Sequence, residues 1–180
     1  NNAAVITNGA NSFSFTEEES AKVIDAGLVL SDADDTQLTG ATVTLSAGLT
    51  TGDTLSFTAK NGITGSYNSG ILTLSGTATV AQYQEVLRTV TFVNATATPN
   101  DHGTANTRSV TWAVTDANSD GVGAATGTQT RTLNIIAVNS APIMTAGATS
   151  SFTEGGSASV IDATITLTDA DDTQMSGSAV

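Results

Sequence analysis

The fold class is decided by the stretch RSVTWAVT at residues 108–115. Its large apolar side chains, Val110, Trp112 and Val114, alternate with small or hydroxylated ones. A period of two places the apolar groups on one face of an extended chain. The stretch therefore predicts a half-buried β-strand.

Further strands are predicted on either side, near 42–47, 54–59, 63–67, 71–75, 88–93 and 128–138. Gly, Asn and Asp turn signals separate them. The apolar phase changes after Ile135, which predicts a β-bulge in the last strand. Helical spacing occurs at 79–87, behind a possible Thr79 cap, and predicts one short helical turn.

These patterns predict an all-β protein with the architecture of a β-sandwich. The outward threonines favour strand without adding charge. The large aromatic residues are expected in the core rather than on a sugar-binding platform: Phe57, Tyr83, Phe92 and Trp112.

The chain also repeats itself, because residues 15–43 return as 152–180 with 18 of 29 positions identical. The acidic stretch DADDTQ at 32–37 recurs at 169–174. A period of 137 residues indicates whole domains, since solenoid repeats are roughly 20–50 residues long. We expect a first domain at 1–138, and a linker with an incomplete second repeat at 139–180, as a window of a longer tandem array.

The two copies agree on one core face. Ala26, Leu28 and Leu30 alternate with their neighbours, and Ala163, Ile165 and Leu167 take the corresponding places. We expect both sets to point inward. The second copy lacks the later strands, and strand pairs with one bare apolar face are marginal in water. Residues 139–180 are thus expected to be either disordered or completed by a strand from another copy in a fibre.

The net charge of the chain limits the classes of molecule that it is expected to bind. The chain has 17 acidic and 5 basic residues and a net charge of −12, which disfavours nucleic acid and anionic membranes and attracts cations. The longest apolar run, 135–138, is far short of the ~18 residues that span a bilayer. We expect no membrane insertion. Cysteine is absent, which excludes disulfides and thiolate sites.

Several motifs resemble a known family. The stretch FTE at 15–17, the DADD that follows at 32–35, VTD at 114–116 and the linker NSAP at 139–142 occur in the order found in cadherin repeats. Together with residues 78–84, they resemble the cadherin-like tandem modules of giant bacterial RTX-type adhesins and biofilm-matrix proteins. The resemblance covers the whole first repeat and the start of the second. It implies a Greek-key β-sandwich of cadherin-like or immunoglobulin-like architecture. It also implies a noncatalytic module at the bacterial cell surface or in the extracellular space.

The resemblance also implies Ca²⁺ between modules. Calcium takes ~6–8 oxygen ligands, which two abutting domains supply more readily than one. Glu17 would serve the C-terminal end of the first module, Asp32 and Asp34 the upstream junction, and Glu154 the junction beyond Val180. The central junction would use Asn139, Asp169 and Asp171. Asp116 would supply the acid that the linker lacks if its strand ends at the same pole. Asp35 and Asp172 would cap the following turns.

The linker contains no acidic residue. We therefore expect fewer calcium ions per junction than in the family, and weaker binding of those ions. The open alternative is that these aspartates are ordinary turn and strand-end residues. A second calcium candidate, DANSDG at 116–121, opens like an EF-hand loop but has Gly127 at its twelfth position and strands around it. A hairpin loop is the better interpretation, and a site that borrows Asp101 stays open.

Catalysis is not expected. His102, the sole histidine, lies among turn formers, where we expect solvent exposure. An internal isopeptide from Lys22 or Lys60 has slight motif support. The favoured function is an extender module made rigid by calcium, in contact with neighbouring repeats. The alternative is an adhesion module that binds a glycan or a surface protein through exposed loops such as 96–107.

Overall fold

A computed structural model of the protein describes residues 1–118, 121–147 and 149–177. The chain forms two compact units, Asn1–Val138 and Asn139–Val180. Both consist of β-strands, and one short helix occurs in the described part of the chain. The all-β prediction is confirmed.

The elements of the first unit are, in chain order, β1 (Val5–Thr7), β2 (Ser12–Thr16), β3 (Lys22–Val23), β4 (Val29–Ser31), β5 (Gln37–Ala47), β6 (Thr54–Ser56), β7 (Thr64–Asn68), β8 (Ile71–Thr79), α1 (Val80–Leu87), β9 (Thr91–Val93), β10 (Thr107–Asp116) and β11 (Thr126–Ile136). The second unit contains β12 (Ile143–Thr145) and β13 (Thr166–Thr168).

The first unit is a sandwich-like arrangement of sheets. A six-stranded sheet has the order β2-β11-β10-β5-β8-β7, a three-stranded sheet the order β3-β9-β6, and β1 pairs with β4. Strand β2 lies parallel to β11, and the other pairs are antiparallel. Apolar side chains fill the space between the layers, where the rings of Phe15 and Phe92 meet edge to face at 5.1 Å.

The stretch at 108–115 forms the centre of the large sheet as β10. Val110, Trp112 and Val114 are fully buried, which confirms the half-buried strand. Tyr83 and Phe92 are also buried, and Phe57 packs against the core from a partly buried position. The aromatic residues therefore belong to the core, as predicted.

The predicted helical turn is the helix α1. The Thr79 hydroxyl accepts a hydrogen bond from the Gln82 N–H at 3.2 Å, and the Gln82 side chain accepts one from the Thr79 N–H at 2.9 Å. This capping box fixes the start of the helix. The helix is tied to β4, because Gln84 Oε1 accepts the Leu30 N–H and Arg88 Nε donates to the Leu28 carbonyl oxygen.

Two predictions need correction. Of the alternating residues Ala26, Leu28 and Leu30, only Leu30 lies in a strand, which starts at Val29, and Ala26 is exposed because it lies in a turn. The predicted bulge in the last strand is wrong: β11 pairs without a register shift and ends at Ile136, so the phase change marks the strand end. The irregularities lie instead in the pairing of β5 with β10 and β8.

The outward side of the six-stranded sheet carries mainly hydroxyl side chains. Neighbouring strands share hydrogen bonds there, between Thr111 and Thr130 at 3.3 Å and between Thr115 and Thr126 at 2.9 Å. We call this surface the hydroxyl face; its members are Ser12, Ser14, Thr16, Gly40, Thr42, Thr44, Ser46, Thr64, Ser66, Asn68, Ile71, Thr73, Ser75, Thr107, Ser109, Thr111, Ala113, Thr115, Thr126, Thr128, Thr130, Thr132, Asn134 and Ile136.

The second unit repeats the first strand pair of the first unit. Ile143 pairs with Thr168 as Val5 pairs with Ser31. The burial differs, because Leu167 is 50% exposed whereas Leu30 is 7% exposed. Ala163 and Ile165 are exposed as well, so the expected inward face of this copy is uncovered within its unit. Residues 139–180 correspond to the part of the first unit that precedes α1, the helix that contacts β4 there.

Candidate metal centre

The strands β10 and β11 give the first unit two ends. They run antiparallel from the pair Thr107/Asn134 to the pair Thr115/Thr126, and ten residues of strand extend over roughly 30 Å. We call the end that carries Asp116 the N-pole, because the chain starts there. The end that carries Ile136 is the C-pole.

The acidic cluster at the N-pole follows β4 directly. Asp32 Oδ1 accepts the N–H groups of Asp34 at 3.2 Å and Asp35 at 3.0 Å, so this carboxylate closes the turn. Ligand oxygens of Asp32, Asp34 and Asp35 all lie within 4.8 Å of one another. Like charges at this separation repel and favour a cation between them.

One oxygen of this cluster is short of a partner. Asp32 Oδ2 is buried and accepts no hydrogen bond from any residue that the structure describes. A buried carboxylate oxygen without a donor is costly. A hard cation such as calcium binds carboxylate oxygens and would satisfy it, so the residues present fit the implied ion.

The first two residues of the chain join this cluster to Asp116. The Asn2 N–H donates to both oxygens of Asp34, at 2.9 and 3.2 Å, and Asn1 Nδ2 donates to Asp116 Oδ2 at 3.1 Å. Gly127 permits this approach, because a Cβ there would overlap the Ala4 carbonyl oxygen. Asp116 therefore lies at the same pole as Asp34.

Asp116 is fully buried, and both its oxygens accept hydrogen bonds. The donors are the N–H groups of Asn118 and Ala125 together with Asn1 Nδ2. These bonds close the β10–β11 hairpin, and direct ligation of a metal by Asp116 would have to replace some of them.

Within the EF-hand-like stretch, Asp120 lies outside the described residues. Asp101 precedes β10, near its Thr107 end, and is thus remote from Asp116, which corrects the idea of a shared site.

Glu17 lies at the C-pole, the end that the resemblance implies. It is buried, its N–H donates to the Ile136 carbonyl oxygen at 2.8 Å, and its Oε2 accepts the Val138 N–H at 2.8 Å. The carboxylate is therefore held beside the last residues of the unit. Its position follows from the parallel pairing of β2 with β11.

The second unit carries the same acidic cluster. Asp169 Oδ1 accepts the N–H groups of Asp171 and Asp172, both at 3.2 Å, and the ligand oxygens of the three residues lie within 4.8 Å of one another. The Asp171 side chain, followed by backbone N–H groups, lowers the pKa of Asp169 below its ordinary value. This carboxylate is thus ionised at neutral pH.

The surroundings of the second cluster also match those of the first. The Ser140 N–H donates to Asp171 Oδ2 at 2.8 Å, as the Asn2 N–H does to Asp34. Asn139 corresponds to Asn1; it is exposed and donates from Nδ2 to the Ser140 carbonyl oxygen. Glu154 lies exposed in a turn.

Sequence reasoning missed Asn1, although a signal existed. Residues 1–9 align with 139–147 at a shift of 138, one more than the shift of the later stretch, and this alignment pairs Asn1 with Asn139. It also missed Asp25, which stands in the stretch VIDA at 23–26 and 160–163. Asp25 is buried and pairs with Arg131 at 3.1 Å.

The other candidate groups are surface residues. His102 is exposed, as predicted. Lys22 Nζ lies 3.0 Å from Glu19 and Lys60 Nζ 3.1 Å from Glu85, so both lysines form surface ion pairs with glutamates. The described residues contain no helix long and apolar enough to cross a membrane.

Comparison with known proteins gives one limited match. No protein-family model matches this chain. Over 110 residues it is 37% identical to Halomucin of Haloquadratum walsbyi (strain DSM 16790 / HBSQ001), an alignment that covers 55% of this chain. The aligned region is 1% of that protein, so the chain corresponds to a very small part of Halomucin.

Proposed function

We propose that residues 1–138 form a noncatalytic extender module of an extracellular or cell-surface repeat protein, and that calcium binds its acidic clusters. One observation carries the proposal. The cluster of Asp32 and Asp34 returns as Asp169 and Asp171, with the same turn and the same N–H contact from the start of its unit.

Calcium is favoured by the chemistry of these clusters. Each gathers three carboxylates within a few ångströms, and calcium prefers hard oxygen ligands. A single cluster supplies fewer than the ~6–8 oxygens that calcium takes, and waters or a consecutive repeat supply the remainder. Following the family resemblance, the proposal places the ion where one repeat joins the next. Glu17 and Asn139 are the further ligands that it invokes.

The extender role is supported by the two-ended shape of the module. Its chain starts at the N-pole, and its last strand ends at the C-pole, so repeats joined in series add length. The core and the buried ion pairs Arg108–Asp53 and Arg131–Asp25 hold the first unit in one conformation. The match with Halomucin adds that similar sequence occurs inside a much longer chain. The surface or extracellular location in the proposal rests on the family resemblance together with this match.

Calorimetric titration with calcium tests the proposal. The chain with Asp32→Asn and Asp34→Asn should lose the binding heat of the first cluster while the second cluster still binds. A matched control, Asp101→Asn with Glu85→Gln, removes the same charge at exposed positions outside the clusters and should bind like the unchanged protein. Bound calcium should stabilise the fold by about 2.7 kcal/mol at 100 times the dissociation constant. Absence of binding heat at millimolar calcium would refute the proposal.

A second candidate function is ligand binding by the loops of the C-pole. A cavity of about 500 Å³ lies there between residues 49–51 and the loop 96–107, and Thr50, Thr96, Thr98 and Asp101 are among its lining residues. Its hydroxyl groups and its carboxylate suit a glycan or a polar peptide. A glycan array probed with the chain in the presence of calcium separates this function from a purely structural one.

A further inference from the structure

The hydroxyl face differs in charge from the rest of the molecule. The chain carries a net charge of −12, yet the hydroxyl face contains no charged residue. Two copies of an acidic protein repel each other, and the repulsion is smallest where neutral surfaces meet. A second copy can therefore approach the first unit at this face at a low electrostatic cost.

The hydroxyl groups of this face are already ordered by one another. Ser46 Oγ bonds to Thr111 Oγ1 at 2.9 Å and to the Ser109 carbonyl oxygen at 3.1 Å, and the pairs of β10 with β11 continue the pattern. β-branched side chains lose little rotamer freedom when they are covered. Both effects lower the cost of burying a polar surface.

The area of the face suits a dimer. Six strands about 4.8 Å apart span roughly 29 Å, and eight residues at about 3.3 Å each extend over roughly 26 Å. The face therefore covers roughly 750 Å², close to the ~800 Å² per partner of a stable interface. A shallow depression of about 350 Å³ near Gly40 and Ala113 gives the otherwise flat surface relief for partner side chains.

We propose that the hydroxyl face packs against the same face of a second copy, as two stacked sheets related by a two-fold axis. Sheets of the same twist stack face to face at about −30°, and a two-fold contact uses one surface on both copies. The contact lies along the strands rather than at the poles. It would join neighbouring chains side by side. This role is additional to the proposed extender function and does not require calcium.

Sedimentation velocity of the whole chain, in chelator and across rising protein concentration, tests this inference. The unchanged protein should shift from monomer to dimer. Thr73→Glu with Thr128→Glu places charges on β8 and β11 of the face and should weaken the dimer at least about tenfold, because like charges across an interface cost several kcal/mol. Both positions are exposed, so the fold should survive, and the melting temperature checks this.

The matched control is Ser20→Glu with Ser56→Glu. It adds the same charge at exposed positions outside the hydroxyl face and should dimerise like the unchanged protein. A protein that stays monomeric to about 1 mM, a dissociation constant that corresponds to only about 4 kcal/mol, would overturn the inference. A face variant that dimerises as well as the control would overturn it too, because the contact would then lie elsewhere.

Discussion

The two units of this chain begin with similar sequences and share several contacts, but only the first buries its core residues. The pairs β1–β4 and β12–β13 share their register, and Asp25 and Asp162 accept the N–H groups of Gly9 and Gly147 in the same way. Yet Ile6 is 5% exposed whereas its counterpart Met144 is 66% exposed.

This difference distinguishes the structural features that a short stretch of sequence determines from those that need residues far away in the chain. A stretch of about forty residues is enough to set the strand register, the acidic turn and its N–H contacts. Burial depends on elements that come later in the repeat. In the first unit, α1 holds β4 through Gln84 and Arg88, and β11 supplies Arg131 to Asp25.

The largest expected effect concerns that arginine. Arg131 donates to the carbonyl oxygens of Ile24 and Ser12 and pairs with the buried carboxylate of Asp25. Arg131→Met leaves this charge buried without its partner, which should cost about 3–5 kcal/mol of unfolding free energy. Urea denaturation followed by circular dichroism measures the loss.

Two controls sharpen the comparison. Lys22→Met removes a surface pair and should cost no more than about 1 kcal/mol. Asp162→Asn changes the counterpart of Asp25 in a unit that contains no lysine or arginine, and should leave the urea midpoint of the first unit unchanged. If Arg131→Met lowers the unfolding free energy no more than Lys22→Met does, the Arg131–Asp25 ion pair does not explain the difference in burial between the two units.

A matched pair of leucines tests the burial difference directly. Leu30→Ala removes a buried side chain and should cost about 2–5 kcal/mol. Leu167→Ala removes a half-exposed one and should cost within about 0.5 kcal/mol. Equal losses in urea denaturation would mean that the second unit buries Leu167 after all.

A smaller effect is expected at the start of α1, an element without a counterpart among the described residues of the second unit. Thr79→Ala removes the side-chain half of the capping box and should cost about 0.5–2 kcal/mol. Because α1 holds β4, hydrogen exchange at the Leu30 N–H should become faster, whereas exchange in β13 should not change. Unchanged exchange at Leu30 would show that the helix does not secure that strand.

The sequence predicted the parts of this fold that depend on near neighbours. The alternation around Trp112 and the Thr79 cap are local patterns, and both were confirmed. The predicted bulge in β11 was wrong because a change of apolar phase in the sequence is the same whether a strand contains a bulge or ends. The pairing of Arg108 with Asp53, 55 residues earlier, left no local signal, since each residue alone suits an exposed position.

The candidate site was predictable to a similar extent. The acidic clusters were found because they recur, and Glu17 lies at the implied pole. The hydrogen bonds that occupy Asp116 were not foreseen, because they come from the hairpin backbone and from Asn1, 115 residues away in sequence. Contacts of this kind determine which carboxylate oxygens accept hydrogen bonds from protein N–H groups. They also determine which oxygens are left to bind a cation.

Small-angle scattering tests the central claim, an extender stiffened by calcium, most directly. The sample is a chain of three complete repeats, measured in millimolar calcium and again in chelator. The account predicts a larger maximum dimension with calcium, because linkers between domains otherwise bend. Asp-to-Asn changes at the positions of Asp32 and Asp34 in each repeat should remove the difference. Equal dimensions in calcium and chelator for the unchanged chain would contradict the account.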